Sequence, residues 1–216
     1  MTLVLPNAAS IGVFAVAALL LLLTPGPAVL YIVARSVEQG RVAGLASVCG
    51  ITTGTLVHVA AAALGLSALL ASSALAFSLV KYAGASYLIY IGLRRILSRP
   101  QAPAAQPALT RRSLGRLYRD GLVVNILNPK TALFFLAFLP QFVDPARGGA
   151  ASQIAFLGLL FAAMGLMSDG LYALAAGTAG RWVRRNAQFL RFERYVTGGV
   201  FIGLGLTAAL AGNGRK

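Results

Sequence analysis

The chain is predicted to be an all-α integral membrane protein of six transmembrane helices, built as two inverted three-helix repeats whose first and fourth helices are broken. Three observations lead there. Of its 216 residues, 58% are hydrophobic and 11% charged, with a mean hydropathy of +0.78, whereas soluble chains carry about a quarter charged residues. Apolar segments fall at roughly 8–34, 43–70, 74–97, 119–142, 151–179 and 195–212. Each can cross a hydrocarbon core of about 30 Å at about 1.5 Å per residue. Finally, the basic residues lie between these segments, where they set topology.

The first segment contains the apolar run Ile11 to Leu23, which continues into further helical sequence without a basic leader or a small-residue cleavage site, so it is expected to be a span. The second and fifth segments are long enough to tilt or protrude. Between the third and fourth lies SRPQAPAAQPALTRRSLG, a Pro/Ala/Gln stretch ending in basic residues and expected to be a flexible linker. One transmembrane domain, 1–216, is therefore expected, with halves 1–97 and 119–212 joined by a basic cytoplasmic linker, 98–118. The loop from Gly180 to Arg194 is also polar, and Trp182, Phe189 and Phe192 among its arginines suggest an amphipathic segment at the interface. Lys81 is expected to snorkel to the outer interface.

Arg35 and Arg41 follow the first span, Arg94 through Arg119 surround the linker, and Arg181 through Arg194 follow the fifth span. These three loops lie on one side, which the positive-inside rule makes cytoplasmic, so both termini face outward into the periplasm. Three spans per half require the halves, if related, to be inverted. Lys81-Tyr82 opens span three as Arg194-Tyr195 opens span six. In that register Ile89, Gly92 and Leu93 match Ile202, Gly205 and Leu206, and Pro25 is paired with Pro129.

The net charge of +14 does not form the basic, aromatic-interleaved polar face that nucleic acid needs. No metal-spaced histidines, nucleophile elbow or phosphate loop is present, and one histidine with five acidic residues leaves no basis for an enzyme, a metal site or a cofactor. The single Cys49 is expected to be a small packing residue, and Gly40, Gly44, Gly50 and Gly54 to let another helix approach closely. Tyr82 is expected in an interfacial aromatic belt, with Tyr87 and Tyr90 either there or at substrate.

Two places carry chemistry. Thr24-Pro25-Gly26-Pro27 interrupts the first span: each proline lacks an amide donor, so the helix breaks and backbone carbonyls are released at membrane depth. Such groups are tolerated where protein or a water-filled cavity satisfies them, as at transporter substrate sites. Asn125 with Asn128-Pro129-Lys130 makes a second polar break, followed by Phe134, Phe135 and Phe138. An ammonium at Lys130 needs a partner, a water path or a snorkelling route.

TPGP at 24–27, the glycines at 40, 44, 50 and 54, GASYLIYIGLRRIL at 84–97 and GLVVNILNPKTALFFLAFLPQFV at 121–143 resemble the lysine exporter and homoserine/threonine-resistance family of bacterial amino-acid exporters. The resemblance covers nearly the whole chain, and NPK followed by FFLAFLPQF is its most specific part. It implies efflux of amino acids across the bacterial inner membrane, driven by the proton motive force, without identifying the cargo.

Asp169 is the acidic residue well inside a span, and reads equally as a proton carrier or as a static partner of Lys130. His58 has an intrinsic pKa suited to proton exchange, and reads otherwise as a hydrogen-bonded packing residue. The expected transporter binds an amino-acid zwitterion between the two breaks, using Thr24, Pro25, Gly26, Pro27, Asn125, Asn128, Pro129 and Lys130. Half-helix amides or Lys130 hold its carboxylate, and Asp169 or the released carbonyls its ammonium, with protons moving through Asp169 and His58. One interior carboxylate favours neutral over cationic cargo. The expected partners are the small-molecule substrate and membrane lipid; a homo-oligomer is compatible with the sequence. A passive channel, or an exporter of another small solute, is the alternative.

Overall fold

The structure, a computed structural model, describes residues 4–72, 74–97, 111–185 and 187–210. Regular structure among them is helical throughout: α1 (Ala8–Leu23), α2 (Pro27–Gln39), α3 (Arg41–Ser72), α4 (Ala74–Leu97), α5 (Leu114–Ile126), α6 (Pro129–Leu133), α7 (Ala150–Arg185) and α8 (Ala187–Leu210). The chain is an all-α, multi-pass membrane protein. By length and composition, α3 and α7 each contain a membrane-spanning stretch, Arg41–Leu66 and Ala150–Ala176. The pairs Ala8–Leu23 with Pro27–Gln39 and Leu114–Ile126 with Pro129–Phe142 pass the same criteria together, bent by 49° and 45°. α4 and α8 have 24 residues each, length enough to cross a bilayer as straight helices.

Local chemistry sets the helix ends. Asn7 caps α1 by accepting from Ser10 N at 2.8 Å, satisfying an amide that has no helical partner. Pro27 and Pro129 stand at the first turns of α2 and α6, where a missing amide costs nothing. α6 passes without interruption into a π-helical turn, Phe134–Phe138, then a 3-10 turn, Leu139–Phe142. Phe134, Phe135 and Phe138 are buried there, with Phe134 stacked on Phe161 at 4.6 Å between ring centroids.

α3 lies between α5 and α7, and α4 runs along α8. A Cβ on Gly50 would sit 2.0 Å from the Tyr118 carbonyl oxygen, so only glycine permits α3 and α5 to meet there. The α4–α8 contact is reciprocal. A Cβ on Gly92 would meet Ile202 Cγ1 at 2.7 Å and the Gly198 carbonyl at 2.8 Å; one on Gly205 would meet Ile89 Cγ1 at 2.7 Å and the Ala85 carbonyl at 2.8 Å. This is the register in which Ile89 and Gly92 match Ile202 and Gly205. The α3–α7 contact behaves alike: Gly44 faces Ala173, and Gly158 faces Val59. The α4–α8 and α3–α7 contacts each map onto themselves when the halves are exchanged, as a pseudo-two-fold relation between them requires.

The two ends of the molecule are also distinct. Gln39, at the end of α2, exchanges two hydrogen bonds with the Arg112 backbone, at 3.0 and 3.1 Å. The α2–α3 junction therefore meets the end of the basic linker. At the opposite end Val4 bonds Ser152 and Arg147 reaches the Leu5 carbonyl. The first two basic loops thus share an end, away from the first described residues.

Several expectations need correction. Residues 114–118, assigned to the linker, belong to α5, while 98–110 lie outside the described residues. The expected 180–194 loop is helical on both sides of residue 186, with α7 running to Arg185 and α8 starting at Ala187; no glycine or proline lies between Arg181 and Thr197. The side chains of Trp182, Phe189, Phe192 and Lys81 are not among those described. The structural counterpart of Pro129 is Pro27, not Pro25, because both open a second half-helix. Gly40 is not a packing glycine but the residue ending α2, at φ +87°, a conformation that favours glycine. Cys49 is exposed.

Candidate functional site

The two breaks lie against one open cavity, lined by Gly26, Ala28 and Val29 of the first and Asn125, Asn128, Lys130 and Thr131 of the second. α3 contributes Ile51, Thr52 and Thr55, and α7 contributes Phe161, Ala162, Gly165, Leu166 and Asp169. The α7 residues form one stripe at helical spacing, grading from an aromatic ring to a carboxylate.

At the first break Thr24 ends α1. Its hydroxyl donates to Leu20 O at 2.7 Å, and its backbone amide to Leu21 O at 3.1 Å. The Thr24 carbonyl, which a continuous helix would offer to the amide of Ala28, accepts instead from Lys130 Nζ. A cation at the C-terminal end of α1 is favoured by the helix dipole. The Lys130 stem lies over Gly26, where a Cβ would come within 3.1 Å of its Cδ. α2 then begins with no side chain capping it, so the amides of Ala28 and Val29 have no partner from within the helix.

The second break is furnished with side chains. Asn128 Oδ1 accepts from Lys130 N at 3.1 Å and caps α6. Asn125 is 2% exposed; its Nδ2 donates to Ile51 O at 2.7 Å and to Thr55 Oγ1 at 2.8 Å, while its Oδ1 accepts from Thr131 Oγ1 at 3.0 Å. Its polar side chain is thereby committed to α3 and α6.

Asp169 is 6% exposed on α7, beside the cavity and under the charge of Lys130. A buried carboxylate is tolerable with such a compensating cation. The sequence-predicted residues Gly26, Asn125, Asn128, Lys130 and Asp169 come together here, with Thr24 behind Lys130. Pro25, Pro27 and Pro129 shape the breaks without lining the cavity, and His58 is also absent from its lining. His58 lies beside it, with Nε2 3.0 Å from Asn125 O and its ring stacked on Phe135. Tyr82, Tyr87 and Tyr90 are exposed and do not line the cavity.

Sequence reading missed Thr55, Thr131 and Tyr172. The Tyr172 hydroxyl donates to Leu23 O at 2.9 Å. Its spacing from Asp169 places it on the same face of α7, a signal available in the sequence.

A family model described as "LysE type translocator" matches residues 19–212. The chain is 31% identical to a homoserine/homoserine lactone efflux protein of Salmonella typhimurium, over 89% of this chain and 92% of that protein. It is 30% identical to an uncharacterized membrane protein of Vibrio cholerae, over 88% of this chain and 91% of that one. To the membrane protein YrhP of Bacillus subtilis it is 27% identical, over 90% and 95% of the two chains. No solved structure matches it.

Proposed function

Starting from a chain that belongs to the LysE type translocator family, we propose that it is a proton-coupled secondary exporter of amino acids or close derivatives, neutral ones ahead of cationic ones. It acts in the bacterial inner membrane through six spans, with both termini periplasmic and no enzymatic step. The observation that carries this reading is the meeting of two broken helices at one cavity, lined both by the uncapped start of α2 and by a buried carboxylate on α7. A zwitterion needs such a pair of opposite fields. The carboxylate binds the amides of Ala28 and Val29 at the positive end of α2. The ammonium approaches Asp169 and the Thr24 carbonyl, where Lys130 already marks a cation seat. The substrate's side chain then lies along Gly165, Ala162 and Phe161.

With one carboxylate beside Lys130, the described residues lining the site include no second acid for a cationic side chain, which favours neutral cargo. One relative is a homoserine/homoserine lactone efflux protein, and homoserine carries no net charge at neutral pH. Proton coupling is assigned to Asp169, which a proton and a substrate ammonium would neutralise in alternation. Rocking of one half against the other exposes the cavity to each side in turn.

The test is efflux from proteoliposomes preloaded with mixed amino acids, read by mass spectrometry with and without an imposed proton gradient. Gradient-dependent loss of homoserine, threonine or another neutral amino acid is the expected result. Loss without any dependence on the gradient or on an uncoupler would replace the exporter with a passive channel. Asp169→Asn is expected to abolish gradient-driven efflux while the protein still inserts; normal coupled efflux by that variant would remove the carrier role.

A further inference from the structure

We propose that His58 and Tyr172 are matched hinge donors, each supplying the hydrogen bond that a proline removes at one break and so setting the angle at which the next half-helix meets the cavity. Leu23 lies four residues before Pro27, and Asn125 four before Pro129. In an unbroken helix each carbonyl would accept from the amide at the proline position, but proline has no amide hydrogen. At membrane depth the bond so lost is made up by groups from elsewhere in the protein. Leu23 O accepts from the Tyr172 hydroxyl at 2.9 Å, while Asn125 O accepts from Asn128 N at 3.1 Å within the turn and also pairs with His58 Nε2 at 3.0 Å. A carbonyl only accepts, so Nε2 is the protonated nitrogen.

The two donors occupy equivalent places in the two halves. Gly44 faces Ala173 and Gly158 faces Val59, a reciprocal contact that matches Val59 with Ala173. His58 immediately precedes Val59, and Tyr172 immediately precedes Ala173. A histidine and a tyrosine thus perform one task in two copies of the same architecture, and the two spans bend by nearly equal angles, 49° and 45°. The His58 ring rests on Phe135 and is absent from the cavity lining, as suits a residue acting on substrate only through the backbone it holds. The task requires no change in the charge of His58.

The effect on transport rests on the amino-acid exporter reading, so two readouts are needed, both on full-length reconstituted protein. His58→Gln keeps an N–H donor without an ionisable ring, His58→Leu removes the donor, and Tyr172→Phe removes the hydroxyl alone. His58→Gln is expected to export homoserine within about threefold of the wild-type rate and with an unchanged pH profile, while His58→Leu and Tyr172→Phe fall about tenfold, the worth of one buried hydrogen bond. Amide hydrogen exchange reads the hinge without transport. Faster exchange is expected across 128–138 in His58→Leu and across 27–32 in Tyr172→Phe, with His58→Gln remaining like wild type.

A shifted pH profile in His58→Gln, a rate as low as that of His58→Leu, or a Tyr172→Phe protein with wild-type rate and exchange would overturn the proposal. If the wild-type protein moves no amino acid, the exporter reading fails and the exchange pattern alone decides the hinge assignment.

Discussion

The two broken spans solve one backbone problem with unequal means. The second break supplies its own polar groups: Asn128 caps α6, while Asn125 and Thr131 bind each other and reach α3. At the matching positions of the first break stand Leu23, Gly26 and Val29, and it borrows Lys130 from the second break and Tyr172 from α7. On the proposed function, the difference separates support from recognition. The furnished break is locked by side chains, whereas the bare one leaves the start of α2 without a side-chain cap and lets the Lys130 stem lie over Gly26.

The comparison is broken most severely by removing what joins the two breaks. Lys130→Met leaves the Thr24 carbonyl without its ammonium and Asp169 without that cation, a buried charge whose loss of compensation costs about 3–5 kcal/mol. Export by the reconstituted variant is expected to fall at least about a hundredfold; a rate near wild type would show that the bare break does not depend on the furnished one.

A smaller effect is expected from unlocking the furnished break. Asn125→Leu strips donors from Ile51 O and Thr55 and a partner from Thr131, and should destabilise the protein by about 2–4 kcal/mol, read as loss of thermal stability in detergent. Unchanged stability would mean that this network is not what holds the break.

The smallest effects test whether the halves are equivalent. Gly92→Ala and Gly205→Ala each place a Cβ within 2.7 Å of an isoleucine on the facing helix, and each should cost about 1–3 kcal/mol by overpacking. Because the two contacts are reciprocal, the losses should agree to within about 0.5 kcal/mol. Gly203→Ala, whose Cβ would meet nothing within 4 Å, should lose no stability. Clearly unequal losses at Gly92 and Gly205 would count against a two-fold relation.

Much of this was legible in the chain. Apolar runs broken by Thr24-Pro25-Gly26-Pro27 and Asn128-Pro129-Lys130 predict the bent spans, because a missing amide has the same consequence in any membrane helix. Candidate polar residues at membrane depth are few, and Asn125, Asn128, Lys130 and Asp169 do line one cavity. The match of Ile89 and Gly92 with Ile202 and Gly205 was visible as well. The pairing of Pro25 with Pro129 was misplaced because two prolines stand two residues apart, and only the helix start at Pro27 distinguishes them. The helices over 180–185 and 187–194 were obscured by the charge there, which argues about solvent rather than backbone.

The sequence by itself determined the solvent, the helical class and the places where helices must break, since these follow from side-chain polarity and from proline's missing hydrogen. Only the tertiary structure decided which group answers each break. Lys130 caps the opposite break, Tyr172 and His58 share a role that nothing in their chemistry advertises, and Asn125 is committed to its neighbours. The physical reason is that a carbonyl released by proline accepts any donor of suitable reach, so the identity of that donor is fixed by the packing of helices distant in the chain.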